Sequence, residues 1–199
     1  MLSQLKLATE ALHARVELAM PTLDELSRRL RYVQCLRDFY ALYALWEPAI
    51  WQTPGVADVV TDGAARQKLP LLVRDLKALG QAVTDVPFVV DDASSDLPAN
   101  CAEALGALYV LEGATLGGRV ILRHIAGPLD LPLDGGLAFF NGYGARTGPM
   151  WTSFGRALEH YSDTGGDVSA SIAGATRCFT AFESWFRSRG TAAGAAPHP

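Results

Sequence analysis

The sequence predicts an all-α protein, a single-domain helical bundle, on three observations. Apolar residues recur at helical spacing through nearly the whole chain. Proline and glycine breakers divide that pattern into segments of ordinary helix length. The 199 residues contain neither an internal repeat nor an interdomain linker. We therefore expect one domain over residues 1–189 and a flexible tail, 190–199, that is poor in bulky side chains.

The first half of the chain is predicted to form four helices, over residues 3–19, 24–51, 56–60 and 66–79. Ser3 and Asp24 are the expected N-caps of the first two. Pro21 separates those two helices, and Pro48 is expected to end or kink the second. Gly80 closes the fourth helix.

The second half begins with a predicted loop, 83–100, in which a short extended piece at 87–90 is possible. The longest predicted helix follows and is rich in glycine. A turn-rich stretch comes after it, and two further helices complete the chain. These predicted segments cover residues 97–125, 127–148, 149–161 and 168–189.

Composition excludes several classes of protein. The chain carries 17 Lys and Arg against 21 Asp and Glu, a net charge of −4, which argues against binding nucleic acid through phosphate neutralisation. With 49% hydrophobic and 19% charged residues, it is not a disordered chain. The longest apolar runs have eight residues, whereas a membrane-spanning helix needs about 20, so we expect no membrane span.

The cysteines and the N-terminus predict a cytoplasmic protein. Cys35, Cys101 and Cys178 are odd in number and far apart, without a CxxC pair, as expected of reduced thiols. The first residues lack the charged flank, apolar stretch and cleavage site of a secretory signal.

Four glycines interrupt the longest helix: Gly106, Gly113, Gly117 and Gly118. Each costs about 1 kcal/mol relative to alanine in a helix interior, so another interaction must offset that cost. Gly113 and Gly117 are four residues apart and share one helix face. Two interpretations remain open: a tight helix crossing or bend, and a bare face that a flat ligand can approach.

His13 is the candidate metal ligand of the first helix. Glu17 lies four residues later, on the same face, where it can accept a hydrogen bond from the imidazole and fix its tautomer. Imidazole is a common axial ligand of haem iron. The alternative is an ordinary packed or surface histidine.

Six ordered segments together resemble one known family over nearly the whole chain, the haem oxygenases, and among them the bacterial forms associated with phytochromes. The segments are LKLATEALHARVE at 5–17, FYALYALWEPAI at 39–50, RQKLPLLVRDLKALG at 66–80, YVLEGATLGGRVILRHI at 109–125, GLAFFNGYG at 136–144 and PMWTSF at 149–154.

The resemblance implies a site for haem b between the first helix and a kinked, glycine-rich distal helix. His13 resembles the proximal iron ligand and Glu17 its neighbour. Contacts to the haem propionates are implied for three further residues, Lys6, Tyr109 and Arg156. The distal helix is represented by Gly113, Gly117 and Gly118, which we expect to act in catalysis.

The resemblance also implies an activity in which haem is both cofactor and substrate. With O2 and electrons, haem oxygenases convert haem to biliverdin, CO and ferrous iron. The electrons come from a partner, such as a ferredoxin or another reductase. A basic patch of Arg28, Arg29, Arg31 and Arg37 can face such an acidic donor. The biliverdin is expected to supply a bacteriophytochrome.

One position departs from the pattern of animal members, which place a distal aspartate where this chain has Ala114. Glu112 is near in sequence but about 100° around the helix from Gly113, so it is not an obvious substitute. Two alternatives therefore stay open. One is a non-catalytic haem carrier of the same fold, and the other is a helical protein for a different small molecule.

Overall fold

The computed structural model describes residues 1–85 and 96–193, and every regular element within them is helical. The α-helices are α1 (Leu2–Ala19), α2 (Leu23–Leu26), α3 (Arg29–Gln52), α4 (Val56–Val59), α5 (Leu69–Ala78), α6 (Cys101–Leu129), α7 (Ala138–Asn141), α8 (Thr147–Asp163) and α9 (Val168–Ala193). Short 3-10 turns cover Gly63–Arg66, Val83–Asp85 and Gly144–Arg146. The all-α prediction is confirmed.

Helix α6 is the centre of the bundle, with α9, α7, α3 and α8 packed around it and α1 packed on α9. The core is built from large apolar side chains that these helices bury completely, among them Leu5, Leu36, Ile50, Leu105, Ile125 and Phe154. Burial of this kind stabilises the fold by roughly 1.5–3 kcal/mol per side chain.

A buried ion cluster joins α1 to α9. The Glu183 carboxylate on α9 is 4% exposed and accepts Arg15 Nη2 of α1 at 2.6 Å. Arg187 Nε approaches the same carboxylate at 2.9 Å. Because an unpaired buried carboxylate is costly, this pairing fixes how α1 lies against α9.

The predicted helix over 24–51 is wrong as a single element, since α2 ends before α3 begins. Thr22, not Asp24, caps α2: its hydroxyl accepts the Glu25 amide while the Glu25 carboxylate accepts the Thr22 amide. Ser3 is likewise not the cap of α1, whose N-cap is Met1. Pro48 does not end α3, which continues to Gln52.

Helix α6 runs without a break through the four predicted glycines and beyond the predicted end at 125, so that it also contains Gly127. Asn100 caps its start by accepting the Glu103 amide, and Asp130 closes its end with a φ of 48°. By length and composition α6 could cross a membrane, but 61% of its most apolar stretch is buried inside the protein. It therefore has the character of a core helix.

The predicted turn-rich stretch contains an ordered short helix, α7, which the Asp75 carboxylate of α5 organises. Asp75 is fully buried and accepts the backbone amides of Gly136, Ala138 and Phe139 at 2.7–2.9 Å. These amides at a helix start would otherwise lack partners. The proposed extended piece at 87–90 and residues 194–199 lie outside the described residues.

Candidate functional site

His13 lies on the exposed side of α1, and its side chain is 59% accessible. Its Nδ1 is 3.7 Å from Glu17 Oε1, and its ring meets the Phe179 ring of α9 edge-on, with centroids 5.9 Å apart. Among the described residues, Nε2 has no hydrogen-bond partner. The imidazole is therefore oriented by its neighbours and has one nitrogen free for a ligand.

Helices α1 and α6 are in contact close to His13. The half-buried Tyr109 of α6 hydrogen-bonds the buried Thr9 of α1, and burial raises the pKa of this tyrosine. Further along, Asp24 Oδ1 of α2 lies 3.4 Å from His124 Nε2 of α6. Because both contacts occur in the same order along the two segments, the segments run in the same general direction.

His13 and Gly113 therefore each lie one helical turn beyond the same contact between α1 and α6. No α1 side chain is placed against Gly113, whose nearest neighbour in the Cβ direction is the Trp151 ring of α8 at 3.8 Å. At Gly117 a Cβ would meet nothing within 4 Å. The two glycines leave a helix face without side chains, which is open at Gly117 and bordered by the Trp151 ring at Gly113.

Two other glycines of α6 serve packing, whereas the fifth, Gly127, has no atom within 4 Å of its Cβ position. A Cβ at Gly106 would overlap the Ser171 carbonyl of α9, and a Cβ at Gly174 of α9 would overlap the Glu103 carbonyl of α6. Gly118 faces α7, with the Phe140 carbonyl oxygen 3.2 Å from its Cβ position. Of the predicted trio, Gly117 thus faces open space, Gly113 faces the Trp151 ring at van der Waals distance, and Gly118 allows α7 to pack closely.

The open face of α6 is mainly apolar. Leu116 and Val120, on either side of Gly117, are 40% and 51% exposed, unusual values for side chains on the central helix of a bundle. Ala114 is also exposed. An apolar planar ligand placed here would cover these side chains.

Two predicted propionate contacts, Lys6 on α1 and Arg156 on α8, are exposed cations. Within the described residues neither forms an ion pair. Arg156 also borders a cavity of about 490 Å³, together with Leu2 and Trp151. Trp151 contacts both Gly113 and Tyr109, so this cavity adjoins the bare glycine face.

Sequence reasoning missed a buried charge cluster immediately beside the site. The Glu112 carboxylate, 1% exposed, is paired with Arg66 Nη1 at 2.6 Å and Lys68 Nζ at 2.7 Å. The Tyr143 hydroxyl donates to Glu112 Oε1 at 2.6 Å. The available signal was a glutamate directly after an eight-residue apolar run, which a core helix tolerates only if it is paired.

The residues present fit one haem with a single protein ligand. In the described part of the chain, no cluster of three His, Cys, Asp or Glu side chains is arranged to hold a metal ion directly. Burial raises the pKa of the Cys35 and Cys178 thiols, which makes them poor thiolate ligands. A free imidazole nitrogen, a bare apolar face and two free cations match an iron ligand, a porphyrin and its carboxylates.

Comparisons with known proteins point in the same direction. The sequence model of the family described as "Heme oxygenase" matches residues 1–188. A heme oxygenase from Xanthomonas campestris pv. campestris is 33% identical over 153 residues, which cover 76% of this chain and 86% of that protein.

A solved structure is similar in fold. It is the NO- and CO-bound heme oxygenase from Neisseria meningitidis, with a TM-score of 0.79 and 22% identity. The alignment covers 100% of this chain and 96% of that chain.

Proposed function

Since the chain belongs to the haem oxygenase family and has its fold, we propose that it cleaves haem b to biliverdin, CO and ferrous iron, using O2 and an external reductant. The observation that supports this proposal is the exposed His13 imidazole of α1, which lies one helical turn beyond the contact between Thr9 and Tyr109, as Gly113 of the bare α6 face does. The bound haem supplies the redox chemistry and is itself the substrate.

The protein's part is to bind and orient that haem. We propose that His13 ligates the iron through Nε2, while Glu17 near Nδ1 favours the required tautomer. We propose that haem occupies a slot between α1 and the glycine face of α6. The exposed cations Lys6 and Arg156 would pair with its propionates, and Tyr109 would contact it where α1 and α6 meet.

The glycine face of α6 contributes by lacking side chains that would keep haem away from the helix. Without side chains, Gly113 and Gly117 let the haem and a small gas approach the helix backbone. Gly118 supports this face indirectly, because it lets α7 pack against α6. Burying the exposed Leu116 and Val120 under the porphyrin removes apolar surface from water.

A non-catalytic haem carrier remains the second candidate, and Ala114 is the observation that favours it. Its methyl group cannot hold the distal water that a carboxylate would bind. Turnover distinguishes the two functions, since a carrier would bind haem and leave it intact.

We further propose an acidic, ferredoxin-like electron donor, a bacteriophytochrome as the acceptor of biliverdin, and a cytoplasmic location. In support of the donor, Arg28 and Arg29 have no ion-pair partner among the described residues. Arg31 is instead paired with Glu25 at 2.9 Å, and Arg37 donates to Gln81 at 3.1 Å. The expected patch is therefore centred on the first two arginines.

The test is an aerobic absorption spectrum of the purified protein with one equivalent of haemin, before and after addition of ascorbate or a ferredoxin reducing system. Catalase is included to suppress attack by free peroxide. We expect the Soret band to decay while biliverdin absorption appears, and His13→Ala to abolish both the ligation spectrum and the conversion. A Soret band that persists through reduction would identify a carrier, and failure to bind haemin would refute both functions.

A further inference from the structure

The buried cluster at Glu112 is costly, and nothing in the proposed chemistry uses it. Arg66 and Lys68 are 1% and 2% exposed, and both pair with the same carboxylate. Burial lowers the pKa of the Lys68 ammonium, and the Glu112 charge opposes that shift. Buried ion clusters of this kind are often no more stable than apolar side chains of similar volume. Stability alone therefore does not account for it.

The cluster fixes one position on each of two helices that border the candidate haem slot. Glu112 directly precedes Gly113 on α6. Arg66 also donates to the Met150 carbonyl of α8 at 3.3 Å, and Met150 directly precedes Trp151, whose ring lies on Gly113. Arg66 thus connects Glu112 to Met150. Each of these residues directly precedes one partner of the contact between Gly113 and Trp151.

The cations themselves are held rigidly from outside α6. Asp62 forms a two-pronged ion pair with Arg66, at 2.5 and 2.8 Å. Glu47 of α3 accepts the backbone amides of Lys68 and Leu69 at 2.5 and 2.8 Å, which anchors the start of α5. Glu112 is therefore attached to a fixed frame rather than to mobile side chains.

The open face of α6 cannot provide such an anchor. Side chains normally set the rotation of a helix by packing between those of its neighbours, and Gly113 and Gly117 have none. Glu112 lies about 100° around the helix from Gly113, close enough to control where the bare face points.

We propose that Glu112 is a positioning residue: held by Arg66, Lys68 and Tyr143, it sets the rotation of α6 so that its glycine face is directed at the haem. This inference rests on the proposed function. In this role Glu112 would act through the position of α6, without contacting the haem or taking part in proton transfer. Tyr143 shares in the clamp, since its hydroxyl accepts from Lys68 and donates to Glu112, both at 2.6 Å.

The test separates positioning from stability. Glu112→Gln strands the Lys68 ammonium in the protein interior and is expected to lower the melting temperature of the apo-protein strongly. The double variant Glu112→Gln with Lys68→Met removes both charges, while Arg66 keeps Asp62, so most of the stability should return. Tyr143→Phe is the mild variant, because it deletes one hydroxyl group.

The readout is the infrared stretching band of CO on the ferrous haem complex, which senses the distal helix without turnover. We expect the band to shift or split in the double variant and in Tyr143→Phe, and turnover to fall by about 100-fold in the double variant. Glu103→Gln is the matched control, since it removes another α6 ion pair, to Arg177 at 2.6 Å, and should leave the band unchanged.

Two results would overturn the proposal. One is a folded double variant and a folded Tyr143→Phe whose CO bands both match that of the unaltered protein. The other is an equal band shift in Glu103→Gln, which would mean that any destabilisation of α6 moves the distal face. Failure of the unaltered protein to bind haemin would instead refute the proposed function, so the two failures are distinguishable.

Discussion

Two parts of helix α6, its beginning around Gly106 and its middle around Gly117, use the same residue type in opposite ways. At Gly106 the missing side chain is replaced by protein, because the Ser171 carbonyl of α9 occupies the place of a Cβ. At Gly117, eleven residues later and near the same helix face, the place of a Cβ is open. One glycine is required by a helix crossing, and the other leaves room that no part of the described protein fills.

The two glycines differ in what compensates for their low helix propensity. A helical glycine loses about 1 kcal/mol relative to alanine wherever it stands. At Gly106 the close packing of α6 on α9 offsets that loss. At Gly117 no described contact offsets it, which is typical of a position where binding, and not stability, sets the residue.

The largest effect is expected at the crossing. In Gly106→Ala the new methyl group overlaps backbone atoms of α9 that cannot move independently, so α6 and α9 must separate. We expect a loss of at least about 3 kcal/mol in the free energy of unfolding, or no folded protein. Urea denaturation followed by circular dichroism measures it. A stable Gly106→Ala protein would show that Gly106 is no more required for packing than Gly117 is.

On α1, which we propose to face the open part of α6, His13→Ala should change the ligand chemistry and leave the fold intact. The imidazole is exposed and its one close packing contact is the edge of Phe179, so the melting temperature should change little. The histidine ligation spectrum of the haemin complex should be lost, and added imidazole should restore it. An unchanged spectrum in His13→Ala would place the iron ligand elsewhere.

Acid should weaken the beginning of α6, where it crosses α9, by protonating Glu103. The pKa of Glu103 is lowered because its carboxylate accepts the Ala99 amide and is paired with Arg177. A lowered pKa in the folded protein stabilises it above the ordinary value of 4.5, and this stabilisation is lost as the pH falls through the folded pKa. Glu103→Gln should therefore be less stable than the unaltered protein at pH 7 and equal to it in strong acid. A stability difference that does not vary with pH would contradict this assignment.

The smallest effects on stability are expected for alanine substitutions at Gly118 and Gly117. Gly118→Ala places a methyl group 3.2 Å from the Phe140 carbonyl, so the strain and the gain in helix propensity should nearly cancel, within about 1 kcal/mol. Gly117→Ala meets no atom and should stabilise the apo-protein by about 1 kcal/mol. Thermal melts of both apo-proteins provide the measurement. A destabilised Gly117→Ala would show that its face is already occupied by protein.

The sequence predicted much of this architecture because helical periodicity is local. It placed α6, α8 and α9 within a few residues and recognised the family from ordered motifs. The sequence-based prediction failed where a helix boundary depends on specific side-chain hydrogen bonds. The capping box of Thr22 and Glu25 divides a pattern that is periodic throughout, and the distant Asp75 carboxylate organises a short helix inside a stretch rich in turn residues.

The site shows the same limit. Periodicity could place Gly113 and Gly117 on one face, but only the position of α9 shows which glycines it covers. The angle of Glu112 on the helix argues against a role at the glycine face, and its partners, Arg66 and Lys68, come from a segment more than 40 positions away. Such pairings depend on the tertiary fold and leave little trace in local sequence.

The most direct test of the account is the affinity of Gly117→Leu for haemin, measured by Soret titration against the unaltered protein. A leucine at this open position should not disturb the apo-fold, yet it would fill the space assigned to the porphyrin. We predict at least about a tenfold loss of affinity, equivalent to 1.4 kcal/mol, with no loss of apo-protein stability. Unchanged affinity would mean that the bare face of α6 is not where haem binds.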